Sequence, residues 1–232
     1  MVNQTELSVI LPAYLEAENL QLLLPRLNDV LTTSNIFYEI LVIDTQTALD
    51  TTRDVCLKYG AAYINREKSN SFGSAVRTGI SQAQGKYILF MDADGSHPPE
   101  FIPRLLPFRA EYDVVVASRY VAGGETENSW PLILMSKIVN LVYSFVLQIK
   151  CQDVSNSFKL YRAELLKELK LSCNNFDVVE EILYKVFKNN KNLRLKEIPF
   201  TFKQRLFGKT KRNLWQFMIT YIFTLLRLKF VK

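Results

Sequence analysis

Tyr87-Ile-Leu-Phe-Met-Asp-Ala-Asp-Gly95 is the stretch on which the fold turns. Tyr87 to Met91 is an unbroken apolar run of strand length, and two carboxylates and a glycine end it. A run apolar on both faces of the pleat predicts a strand covered on both sides, as in a parallel sheet. Residues two apart at a strand end project to the same side. Asp92 and Asp94 are therefore expected to point together beyond the sheet edge. A plain turn is the competing reading, because Asp and Gly are common turn formers. Two carboxylates this close repel each other unless a cation relieves them. Hard divalent ions pair one or two carboxylates with substrate phosphates. Asp92 and Asp94 are thus the candidate ligands of Mg²⁺ or Mn²⁺.

Outward from that strand, apolar runs alternate with helical patterns. Strands are expected at Ser8–Leu11, Glu39–Ile43, Ala62–Ile64 and Val114–Ala117. Helices are expected at Glu18–Leu31, Thr51–Tyr59, Ser74–Ala83 and Glu100–Arg109. The first helix carries leucines at 20, 23, 24, 27 and 31 on one face. Such alternation predicts an α/β fold, a mostly parallel sheet with helices on both faces. After Gly124 the pattern changes. Leu132–Ile149 is apolar almost all round, interrupted by Lys137, Asn140 and Gln148. A strand region at Asp153–Tyr161, a helix at Phe176–Lys188 and a strand at Glu197–Phe202 follow. An apolar helix, Leu214–Leu226, ends in basic residues. The expected organisation is a catalytic domain over residues 1–212 and an appended C-terminal helix over 213–232.

In open α/β sheets ligands bind beyond the carboxyl ends of the strands. Two further strands end at the edge where Asp92 lies, in Pro12-Ala-Tyr-Leu-Glu16 and in Asp44. Tyr14 suits stacking on a base, and Glu16 or Asp44 suits accepting from a base N–H or a ribose hydroxyl. Judged singly, Pro12 is a strand terminator and the glutamates favour a helix start. His97 is the only histidine, and its His-Pro-Pro setting favours a part in shaping the turn over general-base work.

The chain has 232 residues, 48% of them apolar and 22% charged, enough for one cored domain without disulfides. Cys56, Cys151 and Cys173 are odd in number and lack metal-ligand spacing, which suits a reducing compartment. Met1 begins no charged-then-apolar leader pattern, so the cytosolic side is the expected location. Net charge is +6, and Lys203, Arg205, Lys209, Lys211 and Arg212 fall within ten residues that hold no acid. Such a cluster meets phosphates or forms a solvated face.

Taken together, the motifs resemble the family 2 glycosyltransferases. The match runs through Leu11–Leu20, Asp44, Gly73–Gly79 and Phe90–Glu100. Ala117–Gly124, Trp130-Pro131, Asp153–Arg162 and Glu197–Lys211 look like the branch that includes dolichyl-phosphate mannose synthase and other polyprenyl-phosphate sugar transferases. The resemblance implies a GT-A fold, a nucleotide-diphosphate sugar donor of the GDP-mannose or UDP-hexose type, Mg²⁺ or Mn²⁺, and inversion at the anomeric carbon. It implies donor contacts at Pro12, Ala13, Tyr14, Glu16, Asp44, Asp92 and Ala93, with Asp94 in the catalytic centre. It also implies acceptor contacts at Arg119, Lys159, Arg205 and Lys211. Three features depart from the pattern. Thr45 follows Asp44 where a second aspartate is frequent, Ser155-Asn-Ser-Phe-Lys159 replaces Thr-Ser-Gly-Phe-Arg, and Leu132 to Leu134 stand where basic residues often follow Trp-Pro.

The expected reaction is a direct displacement onto a lipid phosphate, which is already ionised and needs no strong base. A hydroxyl acceptor on a lipopolysaccharide or cell-envelope glycan is the alternative, with Asp153 as its candidate base. A nicotinamide dehydrogenase would need a Gly-x-Gly-x-x-Gly turn after the first strand, and Pro12–Glu16 is not one. A non-catalytic membrane-binding module is the remaining rival; no nucleic-acid partner is expected. As a helix Leu214–Leu226 is about 20 Å long, too short for a bilayer core of about 30 Å. Its aromatic residues and flanking cations fit the headgroup level at the cytosolic face of a membrane. Packing on the domain or across a homodimer interface is the other reading.

Overall fold

The computed structural model describes residues 5–207 and the helix at 214–230, the latter with side chains from Thr220 onward. The chain opens with β1 (Leu7–Pro12), α1 (Ala17–Thr33), β2 (Tyr38–Asp44), α2 (Thr52–Lys58), β3 (Ala62–Asn65), α3 (Phe72–Gln82) and β4 (Tyr87–Phe90). It continues through α4 (Ile102–Leu105), β5 (Val114–Ser118), β6 (Glu125–Thr126), α5 (Trp130–Leu147), β7 (Lys159–Arg162) and α6 (Ala163–Lys167). The last elements are α7 (Val178–Asn189), β8 (Leu195–Pro199), β9 (Thr201–Phe202) and α8 (Leu214–Phe230). Among these described residues seven strands form one sheet, in the order β3-β2-β1-β4-β7-β5-β8, and β6 pairs with β9.

The sheet is mostly parallel, as expected. β1 pairs in parallel with β2 and β4, β2 with β3, and β5 with β8. Only β7 is reversed, wedged antiparallel between β4 and β5. Its amino end, with the loop that precedes it, therefore reaches the edge where β1, β2, β4 and β5 finish.

Side chains alternate between two cores, one on each face. Leu7, Val9 and Leu11 of β1 join Tyr87 and Leu89 of β4 and the leucines of α1 on one face. Ile10, Ile88 and Phe90 join α3, α5, α7 and α8 on the other. The central stretches of β1, β2, β4 and β5 are mainly apolar because both their faces are covered.

Two expected elements differ. Glu100–Arg109 is not one helix but two 3₁₀ turns, Pro99–Phe101 and Leu106–Phe108, around the single turn of α4. Pro103 and Pro107 lack amide donors, so a continuous ladder cannot form. In the Asp153–Tyr161 region only Lys159 onward is strand. The earlier amides bond to side chains instead: Asp153 N to Glu197 Oε1, Ser155 N to Asn140 Oδ1 and Asn156 N to Asp153 Oδ1.

α8 runs four residues beyond its expected end, to Phe230, and packs on α5 and α7. The Tyr143 hydroxyl donates to Tyr221 O at 2.6 Å, the Tyr221 hydroxyl to Glu180 Oε1 at 2.9 Å, and the Thr224 hydroxyl to Asp177 Oδ2 at 2.5 Å. Glu180 is fully buried, and its Oε2 has no partner among the described residues. Burial pushes its carboxyl from 4.5 up to about 7, against the opposing pull of the Tyr221 hydroxyl and Lys159. Between those pH values the folded chain holds a proton that the unfolded chain has lost. Stability therefore falls as pH rises through this window and stays reduced above it. Glu180→Gln is expected to raise the Tm at pH 8 clearly more than at pH 5. A thermal melt series showing an equal gain at both, or none at pH 8, would contradict this account.

Candidate active site

Three strand ends and one returning loop meet at the sheet edge. After β1, the Ala13 amide donates to Ile43 O at 2.9 Å, which holds the Pro12-Ala13 backbone against β2. Leu15 turns the chain with φ 56°, and of its neighbours Tyr14 is exposed and Glu16 buried. After β2, the buried Asp44 accepts from the Tyr63 hydroxyl at 3.1 Å. The Thr45 hydroxyl turns back to Thr47 O at 2.6 Å within its own loop. After β4 come Asp92, the buried Ala93, and Asp94. Pro12, Ala13, Tyr14, Glu16, Asp44, Asp92, Ala93 and Asp94 are thus gathered at one edge.

Each aspartate of the pair has one oxygen anchored. Asp92 Oδ1 accepts from the Ser157 hydroxyl at 2.9 Å. Asp94 Oδ1 accepts from the Ser96 amide at 3.0 Å and the Ser96 hydroxyl at 2.6 Å. Among the described residues the second oxygens have more distant neighbours: Asp92 Oδ2 lies 3.9 Å from His97 Nε2, and Asp94 Oδ2 lies 4.0 Å from Arg205 Nη1. The two side chains are 33% and 23% exposed, so these oxygens reach solvent. Among the described residues no cluster of three or more His, Cys, Asp and Glu forms a closed metal cage. Two anchored, half-open carboxylates fit an ion that takes its other ligands from phosphate and water, as Mg²⁺ does.

Gly95 follows with φ 84°, and a Cβ there would lie 2.6 Å from the Leu206 side chain. Only glycine suits both constraints. Leu206 belongs to a strap, residues 203–207, laid across the site. Lys203 N donates to Ser96 O, Leu206 N to Asp94 O and Phe207 N to Asn19 Oδ1, all near 3.0 Å. Arg205 Nη2 donates to Glu16 Oε1 at 3.1 Å. Arg205 therefore bridges the β1 and β4 loops. Lys211 lies outside the described residues.

The returning loop supplies the second half. Arg119, just past β5, makes a bidentate pair with Asp153: Nε to Oδ2 at 2.8 Å and Nη2 to Oδ1 at 2.7 Å. Burial opposes the Arg119 charge, and the Asp153 carboxylate more than restores it. Burial likewise would raise the Asp153 carboxyl, but the Arg119 charge and hydrogen bonds outweigh it and hold it low. Asp153 is fully buried, with both oxygens engaged, which is the placement of a positioning residue for Arg119 rather than of a base facing an acceptor. Lys159 is displaced too. It is fully buried in β7, and its ammonium donates to the carbonyls of Val154 and Asn156. A strand covered on both faces leaves it no path to an acceptor, so it holds the loop instead.

His97 is fully buried against the Phe158 ring, with centroids 4.7 Å apart. Its Nδ1 accepts from the Asp92 amide at 3.0 Å, so in the neutral ring Nε2 donates to Asn156 Oδ1 at 3.1 Å. Burial lowers its pKa, although the Asp92 and Asp94 charges oppose that. The ring is a spacer that fixes the β4 loop, in line with the structural part expected of it. Arg66 went unnoticed in the sequence. Buried behind β3, it donates to the carbonyls of Ala13, Asn70 and Ser71 and ties the β1 loop to the start of α3. An arginine directly after a strand at the ligand-binding edge is the signal that marks it.

Comparison with known proteins agrees with the fold. The family described as Glycosyl transferase family 2 matches residues 8–170. The chain belongs to that family. It is 35% identical to a dolichol-phosphate mannosyltransferase of Pyrococcus furiosus, over 89% of this chain and 59% of that protein's length. It is 31% identical to an undecaprenyl-phosphate mannosyltransferase of Micrococcus luteus, over 88% and 86%. The glucosyl-3-phosphoglycerate synthase of Mycobacterium tuberculosis, solved with Mn²⁺, UDP and glucosyl-3-phosphoglycerate, superposes with a TM-score of 0.74 at 18% identity, over 99% of this chain and 81% of that one. The architecture is the GT-A fold.

Removing one partner of a buried ion pair costs about 3–5 kcal/mol. Asp153→Asn is therefore expected to lower the Tm by many degrees while leaving the shape of any pH–activity profile unchanged. A variant with native Tm and one limb of the profile missing would restore Asp153 as a base.

Proposed function

We propose that the chain transfers a hexose, with inversion, from a nucleotide-diphosphate donor to a polyprenyl phosphate. The observation that carries this is the pair of half-open carboxylates, Asp92 and Asp94, set beside the β1 and β2 loops. The polyprenyl-phosphate mannosyltransferases to which the chain is similar support the acceptor class. In this reading Pro12, Ala13, Tyr14, Glu16, Asp44 and Ala93 hold the nucleoside, with Tyr14 against the base. Residues 1–212 form the catalytic domain and residues 213–232 the appended helix.

Asp92 and Asp94 would hold Mg²⁺ or Mn²⁺, which supplies charge neutralisation to the leaving diphosphate. The protein's own part is placement. Arg119, oriented and kept charged by Asp153, would meet the acceptor phosphate together with Arg205, and Lys211 is proposed as a further contact, because guanidinium and ammonium groups match phosphate oxygens. A phosphate acceptor arrives ionised, so no proton need be removed, and the burial of both His97 and Asp153 suits that economy. Asp94→Asn is expected to leave the Tm near native and cut transfer from GDP-mannose or UDP-glucose to a polyprenyl phosphate roughly a hundredfold or more. Full turnover in that variant, or in wild type with EDTA, would overturn the metal assignment.

We further propose that the protein sits on the cytosolic face of a membrane. α5 is long and apolar enough to cross a bilayer by length and composition, but Asn140 and Tyr143 are turned into the protein. Trp130, Leu134, Ile138, Leu141 and Phe145 form an exposed stripe, with Phe145 81% exposed. Ile222, Phe223, Leu226 and Phe230 of α8, which packs on α5, are exposed as well, and so are Lys137, Lys150 and Lys229. An apolar face with basic residues suits an anionic headgroup layer. Phe145→Asp with Phe223→Asp should abolish flotation with anionic vesicles at low salt and leave the Tm unchanged. Equal flotation of variant and wild type would rule this surface out.

A further inference from the structure

α5 is apolar nearly throughout, yet Asn140 lies on its inward face and is 2% exposed. A buried amide is costly unless its groups are bonded, and those of Asn140 are. Its Nδ2 donates to Ser136 O at 2.8 Å and to Ser155 Oγ at 3.0 Å, and its Oδ1 accepts from the Ser155 amide at 2.9 Å. The contact with Ser155 is thus reciprocal. Ser155 Oγ also accepts from Arg119 Nη2 at 2.9 Å. From there the chain of bonds is unbroken. Arg119 grips Asp153, Asp153 Oδ1 accepts from Asn156 N at 3.2 Å, and Asn156 Oδ1 meets His97, which holds the Asp92 amide. Ser157, two residues past Ser155, donates to Asp92 itself.

We propose that Asn140 is a positioning residue. It locks the loop 153–157 to α5 and so fixes the Arg119 guanidinium, while Ser157 and His97 hold Asp92 by bonds of their own. No strand ladder holds this loop: the amides of Asp153, Ser155 and Asn156 bond to side chains. Asn140 is the tie to the helix whose outer stripe we assign to the membrane. The seating of α5 is thereby mechanically joined to the acceptor side of the site. The kinetic half of the test rests on the polyprenyl-phosphate reading; the exchange half does not.

Hydrogen exchange needs no substrate. In the full chain with Asn140→Ala, the amides of Ser155 and Asn156 should exchange about tenfold faster, the order expected for one lost hydrogen bond. Exchange in α3, far along the chain, should stay within twofold. Unchanged exchange at Ser155 and Asn156 would overturn the proposal whatever the acceptor is. Kinetics then separate positioning from general destabilisation. With GDP-mannose and a short-chain polyprenyl phosphate in detergent, Asn140→Ala should raise the acceptor KM about tenfold and leave the donor KM within twofold. Ser155→Ala, which removes the hydroxyl shared with Arg119 but keeps the amide bond to Asn140, should also raise the acceptor KM, and the double variant should fall short of the product of the two single effects. Donor and acceptor KM rising together, or additive effects, would overturn it. A wild-type protein inert towards every polyprenyl phosphate would instead count against the proposed function, and the exchange result would still decide the lock.

Discussion

The Arg119–Asp153 pair is the interaction on which the rest of the site depends. Both charges are out of water, and such a pair repays its desolvation only when geometry and further hydrogen bonds are good. Here the fork is bidentate and Asp153 also takes the backbone amides of Arg119 and Asn156. Glu197, from β8, holds the amides of Gln152 and Asp153 and the hydroxyl of Ser118. The ends of β5 and β8 and the loop before β7 are thereby fixed to one another. A guanidinium with this support loses little freedom when a phosphate arrives, which is the physical content of preorganisation.

That pair exists because of one topological irregularity. In a wholly parallel sheet the loop before a strand lies at the far edge from the ligand. β7 runs against its neighbours, so its leading loop comes to the ligand edge and meets the end of β5. The same reversal brings Ser157 to Asp92 and Asn156 to His97. The half built from β1, β2 and β4, which we propose holds the donor, follows the ordinary rule for α/β sheets. The half around Arg119, which we propose receives the acceptor, is an addition delivered by the reversed strand.

This division explains what could be read from the residues alone. β1, β2 and β4 are apolar runs with polar stops, so their ends, and Asp92 and Asp94 with them, were legible. Nothing in local pattern announces that Lys159 enters a covered strand, and its charge invites a surface reading. Only the two-sided burial of β7 and the carbonyls of Val154 and Asn156 explain it. Asp153 misleads in a similar way, because its partner is 34 residues away. The turns around α4 were legible in principle, since Pro103 and Pro107 forbid a continuous helix, but the apolar periodicity hid them.

α5 and α8 meet two opposed demands. A helix apolar nearly all round has no pattern of its own to say which face turns inward. Polar residues supply that choice. Asn140 bonds Ser155 through both its amide groups, and the hydroxyls of Tyr221 and Thr224 donate to Glu180 and Asp177. Rotating either helix would strand these groups in an apolar interior at about 1–3 kcal/mol each. Burying Glu180 lowers stability at neutral pH, yet the same carboxylate fixes the register of α8 on α7. The outward stripe from Trp130 to Phe145 is left facing away from the protein as a consequence, and the bonds that set it lead directly to Arg119.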